Sequence, residues 1–111
     1  MSSIDLKVFN ELKDATGADF IGELVQAFLE DAPAQIAQMQ SALGGHDAES
    51  FRRAAHTLKS NAATFGATDL SGLARELEML GRENNLAVGN RLQVLEEAFD
   101  QVKNQLNELI R

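Results

Sequence analysis

From Ile21 onward the apolar residues recur three and four apart, as Ile21, Val25, Phe28, Ala32, Ile36, Met39 and Leu43. That spacing lines one side of a helix. Pro33 falls inside the run, which predicts either a kink or a second helix starting there with Asp31 as its cap. Gly44-Gly45 closes the segment. A second stripe (Phe51, Ala54, Ala55, Leu58, Ala62, Phe65) predicts a helix over 48–65, capped by Asp47 and broken by Gly66. Leu70, Leu73, Leu77 and Leu80 form a third, capped by Thr68. After a turn at Asn84-Asn85, the strongest stripe covers 86–110, with Val88, Leu92, Leu95, Phe99, Val102, Leu106 and Leu109 alternating four and three apart. At the usual helical rise this last helix would be about 35 Å long. Ahead of all these, residues 3–14 predict a short helix with Ser2 or Ser3 as cap and Leu6 and Phe9 as a small apolar side. Gly17 would end it, and Thr16 to Asp19 reads as a capping box for the next helix.

Each stripe needs the others for burial. The expected architecture is therefore all-α: an antiparallel four-helix bundle, up-down-up-down, with a short N-terminal capping helix, in one domain spanning 1–111. The turn Gly66-Ala67 is too short for anything but antiparallel neighbours. Counting outward from it places His56 level with Leu77 and Glu78. Leu77 belongs to the core stripe, so Glu78 is the residue that would approach the imidazole.

Composition agrees with a helical fold, with a single proline and 44% hydrophobic residues. A net charge of −7 argues against nonspecific binding to nucleic acid or to an anionic membrane surface. With no cysteine there is no disulfide, zinc-thiolate site or redox thiol. No apolar run reaches transmembrane length, and the N-terminus lacks the basic and apolar regions of a signal peptide. A cytoplasmic protein is expected, and the Met1 start and Arg111 finish lean toward a free-standing one. Charge is unevenly placed. Residues 51–82 carry five basic and three acidic side chains, net +2, which leaves −9 for the rest of the chain. This hairpin would favour a phosphate or an acidic partner.

His56 lies on that hairpin, away from the centre of its helix's apolar sector. Arg52, Lys59, Ser60 and Ala63 stand at i−4, i+3, i+4 and i+7 from it, and so surround it on the helix surface. A solvated imidazole with an ordinary pKa near ~6.5 is largely neutral at neutral pH and offers a nucleophilic lone pair. A lysine one turn on would offset the charge of a phosphoryl group carried there. Small neighbours leave room for a second protein. A carboxylate at Glu78 would take the Nδ1 proton and leave Nε2 as the reacting atom. From these residues alone, a plain surface histidine is the commoner reading.

The stretch His56-Thr57-Leu58-Lys59-Ser60-Asn61-Ala62-Ala63-Thr64-Phe65-Gly66 changes that balance. It resembles the core motif of the histidine-containing phosphotransfer (HPt) domain family, bacterial type: His-x-Leu-Lys-(Gly or Ser), a run of small residues, then Gly. The likeness continues through Ala67, Leu70, Leu73 and Leu77-Glu78. It implies a four-helix bundle whose exposed histidine relays phosphoryl groups to and from aspartates on receiver domains in two-component signalling. On that resemblance His56 is the phospho-accepting residue and Lys59 its electrostatic partner. Glu78 stands where family members carry Gln or Glu near the ring, and Gly66 is the inter-helix turn. Arg52, Ser60, Ala63 and Gly66 would meet the receiver. Ser60 departs from the commoner glycine and adds slight bulk at the docking surface. The expected partners are response-regulator receivers and a hybrid sensor histidine kinase, met by a monomer.

The chain has no glycine-rich nucleotide motif, so no self-phosphorylation from ATP is expected. It would be a phosphocarrier rather than an enzyme, with no cofactor of its own and with Mg²⁺ supplied by the receiver. The alternative is a helical scaffold of the same fold that carries no phosphoryl group. A small DNA-binding protein ranks below both, since no basic recognition helix is present. His46 reads as a solvated loop residue. A metal site of His46, Asp47 and Glu49 lacks the spacing such sites need, so no metal is expected. The six phenylalanines sit mostly at core spacing and read as packing rather than as platforms for bases.

Overall fold

The computed structural model describes residues 3–111. It contains five helices: α1 (Leu6–Thr16), α2 (Ala18–Gly44), α3 (Ala48–Thr64), α4 (Thr68–Arg82) and α5 (Arg91–Leu109). Among the described residues there is no strand. α3 packs between α2 and α4, α5 lies against α4 and α2, and α1 rests on α2 and α3. Most of the stripe residues are buried, but Leu43, Leu73, Leu80 and Leu109 are half-buried, and Ile4, Ala42, Ala67 and Ala74 join the core. In the middle of the core, Phe28 stacks on Phe65 with ring centroids 5.0 Å apart and meets Phe99 edge-on at 6.1 Å. No helix among the described residues is long and apolar enough to cross a membrane.

α2 runs unbroken through Pro33, where the sequence suggests a kink or a new start. An interior proline forfeits one hydrogen bond and costs about 3 kcal/mol. Its ring faces solvent, while Ile21, Val25 and Phe28 before it and Ile36 and Met39 after it are buried in the same core. Burying side chains of that size contributes about 1.5–3 kcal/mol each, so the packing on both sides outweighs the local penalty. Asp31 therefore caps nothing. Its carboxylate instead accepts a hydrogen bond from the Asn61 side chain at 3.3 Å, tying α2 to α3.

Several helix ends differ from the sequence expectation. Asp47 caps α3 as predicted, its carboxylate accepting from the Ser50 N–H at 3.1 Å. Thr16 does not cap α2. Its hydroxyl donates to the Leu12 carbonyl at 2.9 Å and so belongs to α1, and Gly17 at φ 96° makes the whole connection. α4 starts from Ala67 with no side-chain cap, and Thr68 is its first residue. α1 is capped by Asp5. Ser2 lies outside the described residues, and the Ser3 N–H donates to Gln105 Oε1 at 2.9 Å on α5. Leu6 is 46% exposed, and Ile4 fills the core in its place. α5 begins at Arg91 rather than 86, because Asn84 (φ 59°) and Gly89 (φ 61°) take left-handed conformations and Asn85 closes a local turn onto the Ala87 N–H. Val88 keeps its place in the core although its backbone is a loop. The helix is thus 19 residues, about 28 Å at the usual rise.

The α3–α4 turn is clamped by α1. Gly66 has φ 81°, its carbonyl accepts the Asp5 N–H at 2.7 Å, and a Cβ there would lie 2.7 Å from the Asp5 carbonyl oxygen and 3.1 Å from Val8 Cβ. Gly66→Ala is therefore penalised twice. The left-handed conformation alone costs about 1–2 kcal/mol, and α1 must also shift. A fall in Tm of roughly 5–15 °C is expected by circular dichroism. A Tm within a degree of wild type would show that the turn relaxes freely.

Candidate functional site

His56 stands on the outer side of α3 because Phe51, Ala54, Ala55, Leu58 and Ala62 claim the inner side. Its side chain is 53% exposed, whereas that of Glu78, facing it from α4, is 3% exposed. Nδ1 of the ring lies 2.7 Å from Glu78 Oε2. The other carboxylate oxygen, Oε1, pairs with Lys59 Nζ at 2.7 Å. Arg82, one turn further along α4, brings Nη2 to 3.3 Å from Oε2. One buried carboxylate thus gathers an imidazole, an ammonium and a guanidinium.

Burial by itself would push the Glu78 carboxyl up. The hydrogen bonds from Lys59 and His56 outweigh it and hold the group below the ordinary glutamate value. Glu78 is accordingly an anion at neutral pH, and an anion only accepts hydrogen bonds. The proton on the shared line must therefore sit on Nδ1, which makes Nε2 of the neutral ring the free lone pair.

The α3–α4 pairing that sets this geometry rests on two further contacts. Ser71 Oγ donates to the Lys59 carbonyl at 3.0 Å. At Gly81, α4 comes so close to α3 that a Cβ would meet the Cα, Cβ and N of Arg52 at 3.2 Å each.

The counting argument from the turn thus places Glu78 correctly, and His56 is exposed as expected. Lys59 is less exposed than the ring. It is not a freely solvated cation: its side chain is 28% exposed and ion-paired to Glu78. The Glu78 carboxylate is buried, and a buried charge left without a partner is costly, so the ammonium within reach pairs with it. Of the residues assigned to docking, Ser60 and Ala63 are exposed beside the ring. Arg52 is half-buried and paired to Glu49 at 2.5 Å, a partner in the first turn of its own helix. Gly66 is buried beneath the start of α1 and offers a partner no surface, so that part of its assignment is corrected to the turn alone. Arg82, Gly81 and Ser71 were not singled out by the sequence. Arg82 stands at i+4 from Glu78, and Gly81 is a glycine inside a helical pattern, which calls for a packing reason. Ser71 left no signal.

Comparison with known proteins agrees with this geometry. The model of the Hpt domain matches residues 23–110. The fold matches the crystal structure of histidine-containing phosphotransfer protein B (HptB) from Pseudomonas aeruginosa PAO1, with a TM-score of 0.89 and 23% sequence identity, covering 97% of this chain and 94% of that one. No curated protein sequence matches. A lysine-flanked histidine on a helical hairpin, together with a family model that spans α3, α4 and α5 whole, leads to one conclusion: the chain belongs to the Hpt domain family, the histidine phosphotransfer proteins of phosphorelays.

Proposed function

We propose that His56 is the residue that carries the phosphoryl group, with Nε2 as the reacting atom. The observation that carries this reading is the 2.7 Å contact of Nδ1 with a buried carboxylate while the ring itself is half-exposed. In the transfer step the Nε2 lone pair attacks the phosphorus of a receiver's aspartyl phosphate. The N–P bond forms, the acyl P–O bond breaks, and the aspartate leaves as a carboxylate. The ring gains positive character as it does so, and Glu78 stabilises it through the Nδ1–H bond. Lys59, held beside the ring by Glu78, offsets the charge of the arriving phosphoryl group. The reverse sequence hands the group to a second receiver.

On this reading residues 1–111 are one domain, with α2 to α5 as an antiparallel up-down-up-down bundle and α1 as its cap. The chain is a cytoplasmic, monomeric carrier between a hybrid sensor kinase and a response regulator. It has no ATP site, and the Mg²⁺ of the reaction belongs to the receiver. Ser60 and Ala63 form the near rim of the docking surface.

The test is transfer from a phosphorylated receiver domain. The label on this protein should be acid-labile and alkali-stable and should map to the peptide containing His56. Label on any other residue, or none from every receiver of the host, would refute the proposal; the second result would favour the scaffold reading.

A further inference from the structure

The α4 dipeptide Gly81-Arg82 carries none of the residues assigned to docking, yet both of its residues bear on the His56–Glu78 pair. We propose that Gly81 and Arg82 are positioning residues for phosphoryl transfer, the glycine setting the α3–α4 spacing at the site and the arginine locking the plane of the Glu78 carboxylate. The inference rests on His56 being the reacting residue, but its main readout does not require phosphorylation.

The first observation is the close approach. Gly81 is three residues after Glu78, and Arg52 is four residues before His56, so the Gly81–Arg52 contact lies one helical turn from the ring–carboxylate contact on both helices. A Cβ at 81 would meet backbone and Cβ of Arg52 at 3.2 Å, so the helices would have to part by a few tenths of an ångström. Arg52 backbone belongs to a packed helix and yields only by moving the helix. The ring–carboxylate bond of 2.7 Å has little slack, because hydrogen bonds weaken quickly beyond about 3.2 Å.

The second observation is how the three donors share the carboxylate. Lys59 takes Oε1, while His56 and Arg82 both take Oε2. With donors on both oxygens the carboxylate cannot rotate about its last torsion, which is otherwise broad. Arg82 comes from the same helix as Glu78, so its hold does not depend on the α3–α4 spacing. Without it, Oε2 is held by the ring alone while Lys59 still draws on Oε1, which weakens the hold on the oxygen that Nδ1 needs. The ring would then be freer to carry its proton on Nε2, the atom that has to be bare.

The experiment is nitrogen-15 NMR of the His56 ring in the full-length protein, without any receiver, for wild type, Gly81→Ala, Arg82→Met and Arg82→Lys. Wild type should show the Nδ1–H tautomer as the dominant neutral form. Gly81→Ala and Arg82→Met should each raise the Nε2–H population and lower the transfer rate at saturating receiver by roughly tenfold, the scale on which partners that orient an imidazole count elsewhere. KM for the receiver should be unchanged. Arg82→Lys, which keeps a donor within reach of Oε2, should recover most of the wild-type tautomer. The proposal is overturned if both variants keep the wild-type ring spectrum, or if the loss appears in KM alone, which would make Arg82 a docking contact. A wild-type ring in the Nδ1–H form that never accepts phosphoryl would refute the proposed function, and with it any role of the two residues in transfer, even where both variants still shift the tautomer.

Discussion

His56→Gln should take up no phosphoryl label from a receiver that labels wild type, with a folded state that is nearly unchanged. The chemical half of this expectation is absolute. An amide nitrogen has its lone pair delocalised into the carbonyl, so no group at position 56 could attack phosphorus or hold it. The structural half follows from exposure. Substitutions at exposed sites away from packing usually move stability by about 0.5 kcal/mol or less. Glu78 keeps Lys59 on one oxygen and Arg82 on the other, so its buried charge is not left unpaired. Helicity and Tm should therefore stay close to wild type while the label disappears. Label retained at wild-type level would move the reactive residue elsewhere, and His46 would be the only other imidazole to consider. A variant that loses both label and fold would contradict the reading of His56 as a solvent-facing side chain.

How much of this was legible beforehand follows the physics of each element. The stripes were readable because burial repeats along a helix, and each of Phe28, Leu58, Leu77, Leu95 and Val102 is where its spacing put it. The level of Glu78 against His56 was readable because Gly66-Ala67 leaves no freedom in how α3 meets α4. Helix ends were less legible, since several polar residues compete for each cap and one backbone choice decides between them: Gly17 displaced Thr16, and Asp5 displaced Ser3. The path through Pro33 was hidden because local cost and distant packing have opposite signs, and only the fold says how much packing there is. The partner of Lys59 was hidden for a related reason. Its helix position names the turn it sits on, not the depth of the carboxylate that captures it.

Glu78→Ala should be the most damaging change at the site apart from loss of the imidazole. Its carboxylate is the common partner of three donors, and two of them, Lys59 and His56, cross from α3. Hydrogen bonds to a charged group contribute about 1.5–3 kcal/mol each when buried. Here the donors are partly exposed and regain water when the carboxylate is removed, so the net loss should be about 2–3 kcal/mol rather than their sum. The ring loses its Nδ1 acceptor at the same time, and transfer at saturating receiver should fall by roughly 10- to 100-fold. Glu78→Gln separates the two effects, because its amide oxygen still accepts from Nδ1 while its charge is gone; transfer should fall less than in the alanine variant. Acid unfolding supplies a second reading. The Glu78 carboxyl is held below its ordinary value of 4.5, so the folded state binds its proton more weakly than the unfolded chain does. The stability it contributes is complete above that ordinary value and is lost as pH falls through the lowered one. Urea midpoints measured from neutral pH down to pH 3 should therefore drop more steeply for wild type than for Glu78→Gln, and the gap between the two curves should narrow toward the acid end. Parallel curves over the whole range would mean that the carboxylate is not anchored to Lys59 and His56 in solution.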